Sequence, residues 1–406
     1  MPQATPLVLF EPAGIEALGP PVALRPVWEL RVGARRLVER IAEAWPGELH
    51  CAPRPALAGL CPVLPPALFA AQRVLLLAGH QLVLDPAALG RLEALAPGDR
   101  IEDLGVPLAL CLSGAEARDW LAAEATREAP WPAPTAAPRE GPCGPLLAYW
   151  WELYELAPRA LAADAERLLA AGGWQRGERE GIWLAAGAML APGSVLDASG
   201  GPVLVDRGAS VGALSVLVGP CYLGPGTRTK PHTQLHGVFA GPECRLGGEV
   251  EETQLQGFSN KQHHGFLGHA AVGEWVNLGA GATNSDLKNN YGSIRVEMGG
   301  RSLDSGRRFL GCCLGDHVKL GIQGRLNTGT VLEPFTNWFG ADFPPKGLPA
   351  FSWGGEGRLE EHALERALAT AAIAMPRRGA RLDEGQEAAI RALFARSAAA
   401  RRARIG

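Results

Sequence analysis

The order of apolar and polar positions divides the chain into parts with different periods. Near the start, short apolar runs at Leu7–Phe10 and Val74–Leu77 are separated by a segment of helical spacing at Arg31–Trp45. Strands that alternate with helices are typical of a largely parallel sheet with helices on its faces. This pattern predicts an α/β domain over residues 1–145.

A stronger helical pattern follows a proline-rich stretch. It runs from Leu146 to Ala171 and stops at Gly172 and Gly173, a typical end for a helix. We therefore expect a linker helix over residues 146–180.

A period of six replaces the helical period from about residue 181. The positions on this period are Val205, Val211, Leu217, Leu223, Thr229 and Leu235, then Phe266, Val272 and Leu278, then Leu314, Leu320, Leu326 and Leu332. A glycine follows many of them. Such a hexapeptide repeat is typical of a parallel β-helix, in which each apolar residue points into the prism. The repeat predicts a β-helix over residues 181–353; an antiparallel β domain with many turns is the alternative.

Two segments depart from the hexapeptide period. Residues 284–310 interrupt it, and an insertion in a solenoid often forms a functional loop on one face. Helical patterns at Leu359–Met375 and Asp383–Arg404 follow the last repeat. We expect residues 354–406 to form a C-terminal helical segment that caps or flanks the β-helix.

Composition narrows the class of protein. The formal charge of the 406 residues is -3, so a basic nucleic-acid-binding face is not expected. No apolar run reaches the ~18 residues of a membrane span, and Met1–Phe10 lacks the features of a secretory leader. The eight cysteines are scattered, which favours reduced thiols in a cytoplasmic protein.

The basic residues suggest where chemistry occurs. All five lysines lie between residues 230 and 346, and six of the nine histidines lie between residues 232 and 317. The run Ser259–Gly265 places Lys261, His263 and their polar neighbours together, and histidine is a natural general base near neutral pH. No carboxylates stand at ligand spacing beside the histidines, so the metal ligands stay unassigned.

The run HHGFLGHAAVGEWVNLGAGATNSDLKNNYG, which begins at His263, resembles the bifunctional N-acetylglucosamine-1-phosphate uridyltransferase/glucosamine-1-phosphate N-acetyltransferase family. The resemblance implies a left-handed parallel β-helix with acyltransferase activity. It implies that His263 is the catalytic base and that Asn277 contacts the acceptor sugar. It also implies that Ala280, Asn290 and Tyr291 contact acetyl-CoA.

Further substrate-binding residues are expected near this run, and this chain departs from the family at two positions. Asn260, Lys261 and Lys288 are the expected substrate contacts. Phe266 stands where the family has an acceptor-site tyrosine, and a family lysine aligns near Glu251. The acceptor is therefore left open.

Nearly the whole chain resembles a subfamily of sugar nucleotidyltransferases with a short N-terminal half, partly through Leu24–Gly33. The resemblance implies that Arg25, Arg31 and Gly33 bind a nucleoside triphosphate and that Mg²⁺ assists transfer to a sugar phosphate. Two family features are missing. No glycine-rich loop follows the first strand, and Gly79-His80 occupies the usual metal position, with Asp85 the nearest substitute.

These observations predict a sugar-1-phosphate nucleotidyltransferase joined to an acetyl-CoA-dependent acyltransferase-like domain, acting as a homotrimer. One alternative is an acyltransferase with a vestigial N-terminal domain. Another is a non-catalytic assembly protein that binds sugars or nucleotides.

Overall fold

The computed structural model describes residues 4–340, 342–355 and 357–405. The first residues of Met1–Phe10, the segment predicted to lack leader features, therefore lie outside the described residues. Its N-terminal part contains a mixed five-stranded sheet. In chain order the strands are β1 (Leu7–Phe10), β2 (Leu49–Ala52), β3 (Val74–Ala78), β4 (Arg100–Asp103) and β5 (Val106–Leu112). The spatial order is β2-β1-β3-β5-β4, with β1 parallel to β2 and β3, and with β5 antiparallel to β3 and β4.

Helices pack on this sheet and, later in the chain, beside the β-helix. They are α1 (Leu37–Ala44), α2 (Pro66–Phe69), α3 (Ala87–Gly90), α4 (Gly114–Glu124), α5 (Glu152–Glu155), α6 (Ala157–Ala170), α7 (Leu364–Ala374), α8 (Glu384–Arg396) and α9 (Ala398–Ile405). The expected linker helix is thus broken into α5 and α6. Both are part of the N-terminal hydrophobic core, where Trp150 and Trp151 just before α5 are fully buried.

A three-sided parallel β-helix follows, as the hexapeptide period predicts. Face A contains Ile182–Ala185, Val203–Val205, Cys221–Leu223, Cys312–Leu314, Thr330–Leu332 and Gly347–Leu348. Face B contains Met189–Leu190, Ser210–Val211, Arg228–Thr229, Arg245–Leu246, Asn260–Lys261, Asn277–Leu278, Lys319–Leu320, Asn337–Trp338 and Ser352–Gly355. Face C contains Val195–Asp197, Val216–Val218, Thr283–Asn284 and Arg325–Leu326. Three long strands, Gln234–Ala240, Glu249–Gly257 and Phe266–Glu274, bend from face C into face A.

The inward positions are those of the six-residue period, with one exception. Twelve of the thirteen predicted side chains are buried in the prism or its wall. Phe266 is the exception, because its neighbour Leu267 pairs with the inward Val250 and is itself 2% exposed. The assignment of Phe266 as an inward residue is therefore wrong by one position.

The N-terminal domain lies against face A. Outward side chains of that face share a hydrophobic core with it: Leu204, Tyr222, Phe239, Ala271, Cys313 and Val331. Polar contacts complete the interface. The Gln256 side-chain oxygen accepts a hydrogen bond from the backbone N–H of Arg31, and that of Gln254 accepts one from the N–H of Gly33. The two parts are thus joined by a continuous core.

The remaining segments surround the β-helix. The insertion forms a hairpin of Arg295–Met298 and Arg301–Asp304, whose residue Val296 reaches the N-terminal core. Helices α7 and α8 pack near the last coils through Phe335 and Phe351. Among the described residues, no helix is long and apolar enough to cross a membrane, and all eight cysteines are free thiols.

Candidate functional site

The edge between faces B and C carries two histidines. His263 and His264 lie in a bend that follows the face B strand Asn260–Lys261, and both side chains are exposed. Residues of a strand would point to opposite faces. On that pattern one histidine would face the groove and the other would pack inward or against the next coil. In this bend both side chains are exposed, and His264 Nε2 lies close to Gly281 of the next coil. Within the described part of the chain, neither imidazole has a hydrogen bond or ion pair.

Small residues on the next coil allow His264 to approach it closely. A Cβ on Gly281 would lie 3.2 Å from His264 Nε2 and 3.1 Å from Gln323 Nε2. Gly281 has φ +73°, a conformation that suits glycine. Ala280 precedes it and accepts a 2.7 Å hydrogen bond from the backbone N–H of Gln323. The edge therefore presents imidazole, small residues and an amide on three successive coils.

A concave pocket of about 740 Å³ opens on face B beside this edge. Asn260 and Asn277 face it, and the Nδ2 of Asn260 donates to Oδ1 of Asn277 over 3.2 Å. Six cationic side chains line it: Arg228, Lys230, Arg245, Lys319, Arg377 and Arg378. The predicted contacts Asn260 and Asn277 are thus brought together, while the arginines were not predicted from the sequence.

Lys261 does not face the pocket. It pairs in register with the inward Leu246, and the residue is 2% exposed. Its Nζ donates to the backbone carbonyls of Gly247 (3.0 Å) and His263 (2.7 Å), and burial lowers its pKa to about 8. This geometry favours a structural role beneath the histidine bend over the expected contact with substrate.

The other predicted contacts lie in the insertion. Asn290 and Tyr291 are exposed, with Tyr291 at φ +56°, and the Lys288 ammonium donates to the Ser293 carbonyl. The insertion therefore presents these side chains to solvent. Their roles in binding acetyl-CoA and acceptor stay predictions.

A histidine–carboxylate pair lies elsewhere on the β-helix. His269 Nδ1 is 2.8 Å from an oxygen of Asp286, and the ring stacks on Phe309 at 5.3 Å. The pair is partly exposed, at 21% and 17%. A carboxylate on one ring nitrogen orients an imidazole, which makes His269 a second candidate base. The histidine cluster in the sequence includes His269 but does not predict its distant partner Asp286.

In the N-terminal domain, carboxylates fill the loop after β1. Glu11 is buried and accepts the backbone N–H groups of Val27 and Arg54, and it pairs with the Arg54 guanidinium at 2.5 Å. The N–H of Ala13 donates to Glu124 at 2.9 Å. Phosphate loops use free backbone N–H groups of this kind. Here the N–H group of Ala13, in the loop itself, is already bonded to an acidic side chain.

The three expected nucleotide contacts all lie at the interface with the β-helix. The Arg25 guanidinium pairs with Asp316 at 2.5 Å and with Glu274 at 3.3 Å, and these carboxylates raise its pKa despite burial. A Cβ on Gly33 would contact the backbone of α6. Arg31 lies at the same interface, where its backbone N–H donates to the β-helix. The geometry assigns this segment to domain contact, and its binding of nucleotide stays untested.

The expected magnesium position does not fit a metal ion. His80 is 2% exposed, and burial together with Arg139 lowers its pKa to about 3, so the ring is neutral. Asp85 is exposed and accepts the N–H of Ala87 at the start of α3. No group of three histidine, cysteine or acidic residues suited to a metal occurs in the described residues. No reaction step is therefore assigned to Mg²⁺.

Comparison with known proteins agrees with this architecture. Residues 7–171 match the family model described as sugar nucleotidyl transferase, so the N-terminal part is similar to domains of that class. A bifunctional sugar-1-phosphate nucleotidylyltransferase/acetyltransferase of Sulfurisphaera tokodaii is 30% identical over 114 residues, which are 28% of this chain and 27% of that protein. The bifunctional protein GlmU of a Cyanothece species is 30% identical over 125 residues, 29% of this chain and 25% of that protein.

These matches confirm the resemblance at the level of domain class. The aligned part spans about a quarter of the length of the curated relatives. A solved structure of LpxA from Acinetobacter baumannii is 14% identical, covers 48% of this chain and 77% of that one, and has a TM-score of 0.26. The fold is defined by the elements described above: an α/β domain similar to the sugar nucleotidyl transferase family, joined to a hexapeptide β-helix.

Proposed function

We propose that this protein is a transferase of sugar-nucleotide metabolism whose β-helix transfers an acyl group from acetyl-CoA to a sugar phosphate. The observation that carries this proposal is the exposed His263–His264 pair at the edge of faces B and C, next to Ala280 and Gly281. An exposed imidazole without a hydrogen-bond partner can accept a proton from the amine of an acceptor.

The proposed reaction has one covalent step at this edge. His263 takes a proton from the amine of the acceptor, whose nitrogen attacks the thioester carbonyl. A carbon–nitrogen bond forms, the carbon–sulfur bond breaks, and the coenzyme leaves as a thiol after receiving the proton. Asn277 orients the acceptor from face B, and Asn290 and Tyr291 contact the coenzyme from the insertion.

A second candidate function is sugar-1-phosphate nucleotidyl transfer by the N-terminal domain. The family match over residues 7–171 favours it. The Glu11–Arg54 pair beside the loop after β1 argues against it. The vestigial-domain alternative therefore remains in the proposal, as does a non-catalytic binding role.

Assembly and location are part of the same proposal. We expect a homotrimer, with face C of each β-helix available for contact between copies, and a cytoplasmic protein. Light scattering of the purified protein measures the first. A monomer at micromolar concentration would contradict a site shared between copies.

The test measures thiol release from acetyl-CoA with amino-sugar phosphates as acceptors. His263→Ala should lower kcat by about 10²–10⁴ and leave the affinity for CoA nearly unchanged. His264→Ala is the matched control, since it removes an equally exposed imidazole from the same bend. Loss of turnover only in His264→Ala would assign the catalytic base to His264. Loss of turnover only in His269→Ala would assign it to the His269–Asp286 pair.

Nucleotidyl transfer is tested separately by pyrophosphate release from UTP or dTTP with sugar phosphates. Release by the wild type supports the bifunctional proposal. Acyl transfer without pyrophosphate release supports an acyltransferase with a vestigial domain. Failure of both reactions, with no binding of an acyl donor, rejects the catalytic proposal in favour of the binding role.

A further inference from the structure

The pocket on face B has an uneven charge. Six cations line it, and its lining among the described residues includes no aspartate or glutamate. Glu243 lies close by and reaches Arg245 at 2.7 Å and Arg378 at 3.9 Å. The Glu243 carboxylate therefore forms ion pairs with two of the six cations, Arg245 and Arg378. Arg228, Lys230 and Arg377 are exposed and have no ion pair among the described residues.

Such a concentration of like charge disfavours the empty site. Arg378 is held beside Arg245, and burial followed by this repulsion lowers the Arg378 pKa. Clefts lined by one sign of charge concentrate ligands of the opposite sign. An anion of more than one charge would relieve the repulsion.

The remaining lining residues suit a small organic ligand. Phe258 and Trp275 stack at 4.4 Å and border the pocket, and Asn260 and Asn277 supply amides. A volume of about 740 Å³ is within the usual range for small-molecule sites. Arginine and lysine together suit phosphate, through planar forks and point charges respectively.

The pocket has walls from two distant parts of the chain. Arg228, Lys230 and Arg245 come from early coils of face B, whereas Arg377 and Arg378 come from the short helical turn Met375–Arg378 that follows α7. The Arg378 guanidinium donates to Asn260 Oδ1 at 3.1 Å. The C-terminal segment thus completes the site.

We propose that this pocket binds the phosphate or diphosphate group of a small molecule, held between the cations of face B and the arginines after α7. The proposal deepens the proposed function, because the ligand would be the phosphorylated acceptor or the coenzyme. The phosphate group is common to both sources. Its binding is measurable without turnover.

Calorimetric titration of the full chain tests the proposal with four probes: pyrophosphate, glucosamine-1-phosphate, UDP-N-acetylglucosamine and CoA. Binding by any of them that weakens about tenfold or more in Lys230→Ala and in Arg377→Ala supports the site, a loss typical of a charge-assisted contact. Arg207→Ala is the matched control, because Arg207 is exposed on the β-helix but does not line the pocket. Thermal unfolding of each variant checks that the fold is retained.

The four probes identify the source of the phosphate. Preference for glucosamine-1-phosphate or the nucleotide sugar assigns the pocket to the acceptor side, and preference for CoA assigns it to the donor. No binding of any probe, or equal binding by wild type and both pocket variants, overturns the inference. Acyl transfer that persists in both variants with unchanged KM overturns it while the proposed function stands. Probe binding that weakens in both pocket variants, in a protein without acyl transfer, supports the pocket and overturns the proposed function.

Discussion

The buried ammonium of Lys261 makes the stability of the β-helix depend on pH. Its residue is 2% exposed, its neighbour in register is Leu246, and no carboxylate pairs with it in the described residues. Burial lowers its pKa from 10.5 to about 8. Below pH 8 both the folded and the unfolded chain carry the proton, so the folded chain bears the full cost of the buried charge.

The sign and size of the effect follow from this pKa. Between pH 8 and 10.5 the unfolded chain binds more protons than the folded chain, so the free energy of unfolding rises with pH. A difference of 2.5 pKa units corresponds to about 3 kcal/mol in full, of which about 2.5 kcal/mol is gained by pH 10. Hydrogen bonds to two carbonyls favour the charged form, which makes these figures upper bounds.

The perturbation is Lys261→Met, which keeps the length of the side chain and removes the charge. The free energy of unfolding in urea, followed by circular dichroism from pH 7 to pH 10, should rise in the wild type relative to this variant. Arg207→Met is the control, since Arg207 is exposed on the β-helix outside the cationic pocket and its loss should leave the profile parallel to the wild type. Parallel profiles for wild type and Lys261→Met would refute the assignment of a buried ammonium.

Two further predictions concern the N-terminal domain. Arg25→Ala leaves the buried Asp316 without its cation, so the free energy of unfolding in urea should fall by about 3–5 kcal/mol, and a loss below 1 kcal/mol would contradict a buried ion pair. His80 is buried with its pKa lowered to about 3, so the unfolded chain takes up the proton first as pH falls below 6.5. The wild type should lose about 2.5 kcal/mol by pH 4.5 relative to His80→Phe, and equal acid profiles of the two proteins would contradict a neutral His80.

The hexapeptide period was sufficient to predict the β-helix because its signal is local. Each inward residue recurs after a fixed number of positions wherever the coils have equal length. Around face C the coils are shorter: the inward Leu235, Val250 and Leu267 pair in register but are separated by 15 and 17 residues. A strict count of six drifts there, which is why Phe266 was assigned inward.

The candidate site was less predictable, because it depends on contacts between distant segments. The clustering of lysines pointed to the right region, and Lys230 and Lys319 do line the pocket. Lys261 belongs to the same cluster but occupies an inward position, a difference of one residue along a strand. Arg377 and Arg378 reach face B only through the docking of α7, more than 100 residues away in sequence, and no periodicity encodes that contact.

Contacts at the interface between the two parts explain the residues of Leu24–Gly33, the segment that most resembles a nucleotide-binding sequence. The Arg25 side chain pairs with Asp316, the Arg31 backbone donates to Gln256, and a Cβ on Gly33 would contact α6. Packing between neighbouring elements therefore constrains the identities of Arg25 and Gly33. Any triphosphate would have to bind at the carboxyl ends of β1 and β3, as ligands of open α/β sheets do. There the Glu11 carboxylate would repel a phosphate unless its pairing with Arg54 opened. Pyrophosphate release by this chain would therefore require a rearrangement of the loop after β1, whereas the pocket on face B requires none to receive an anion.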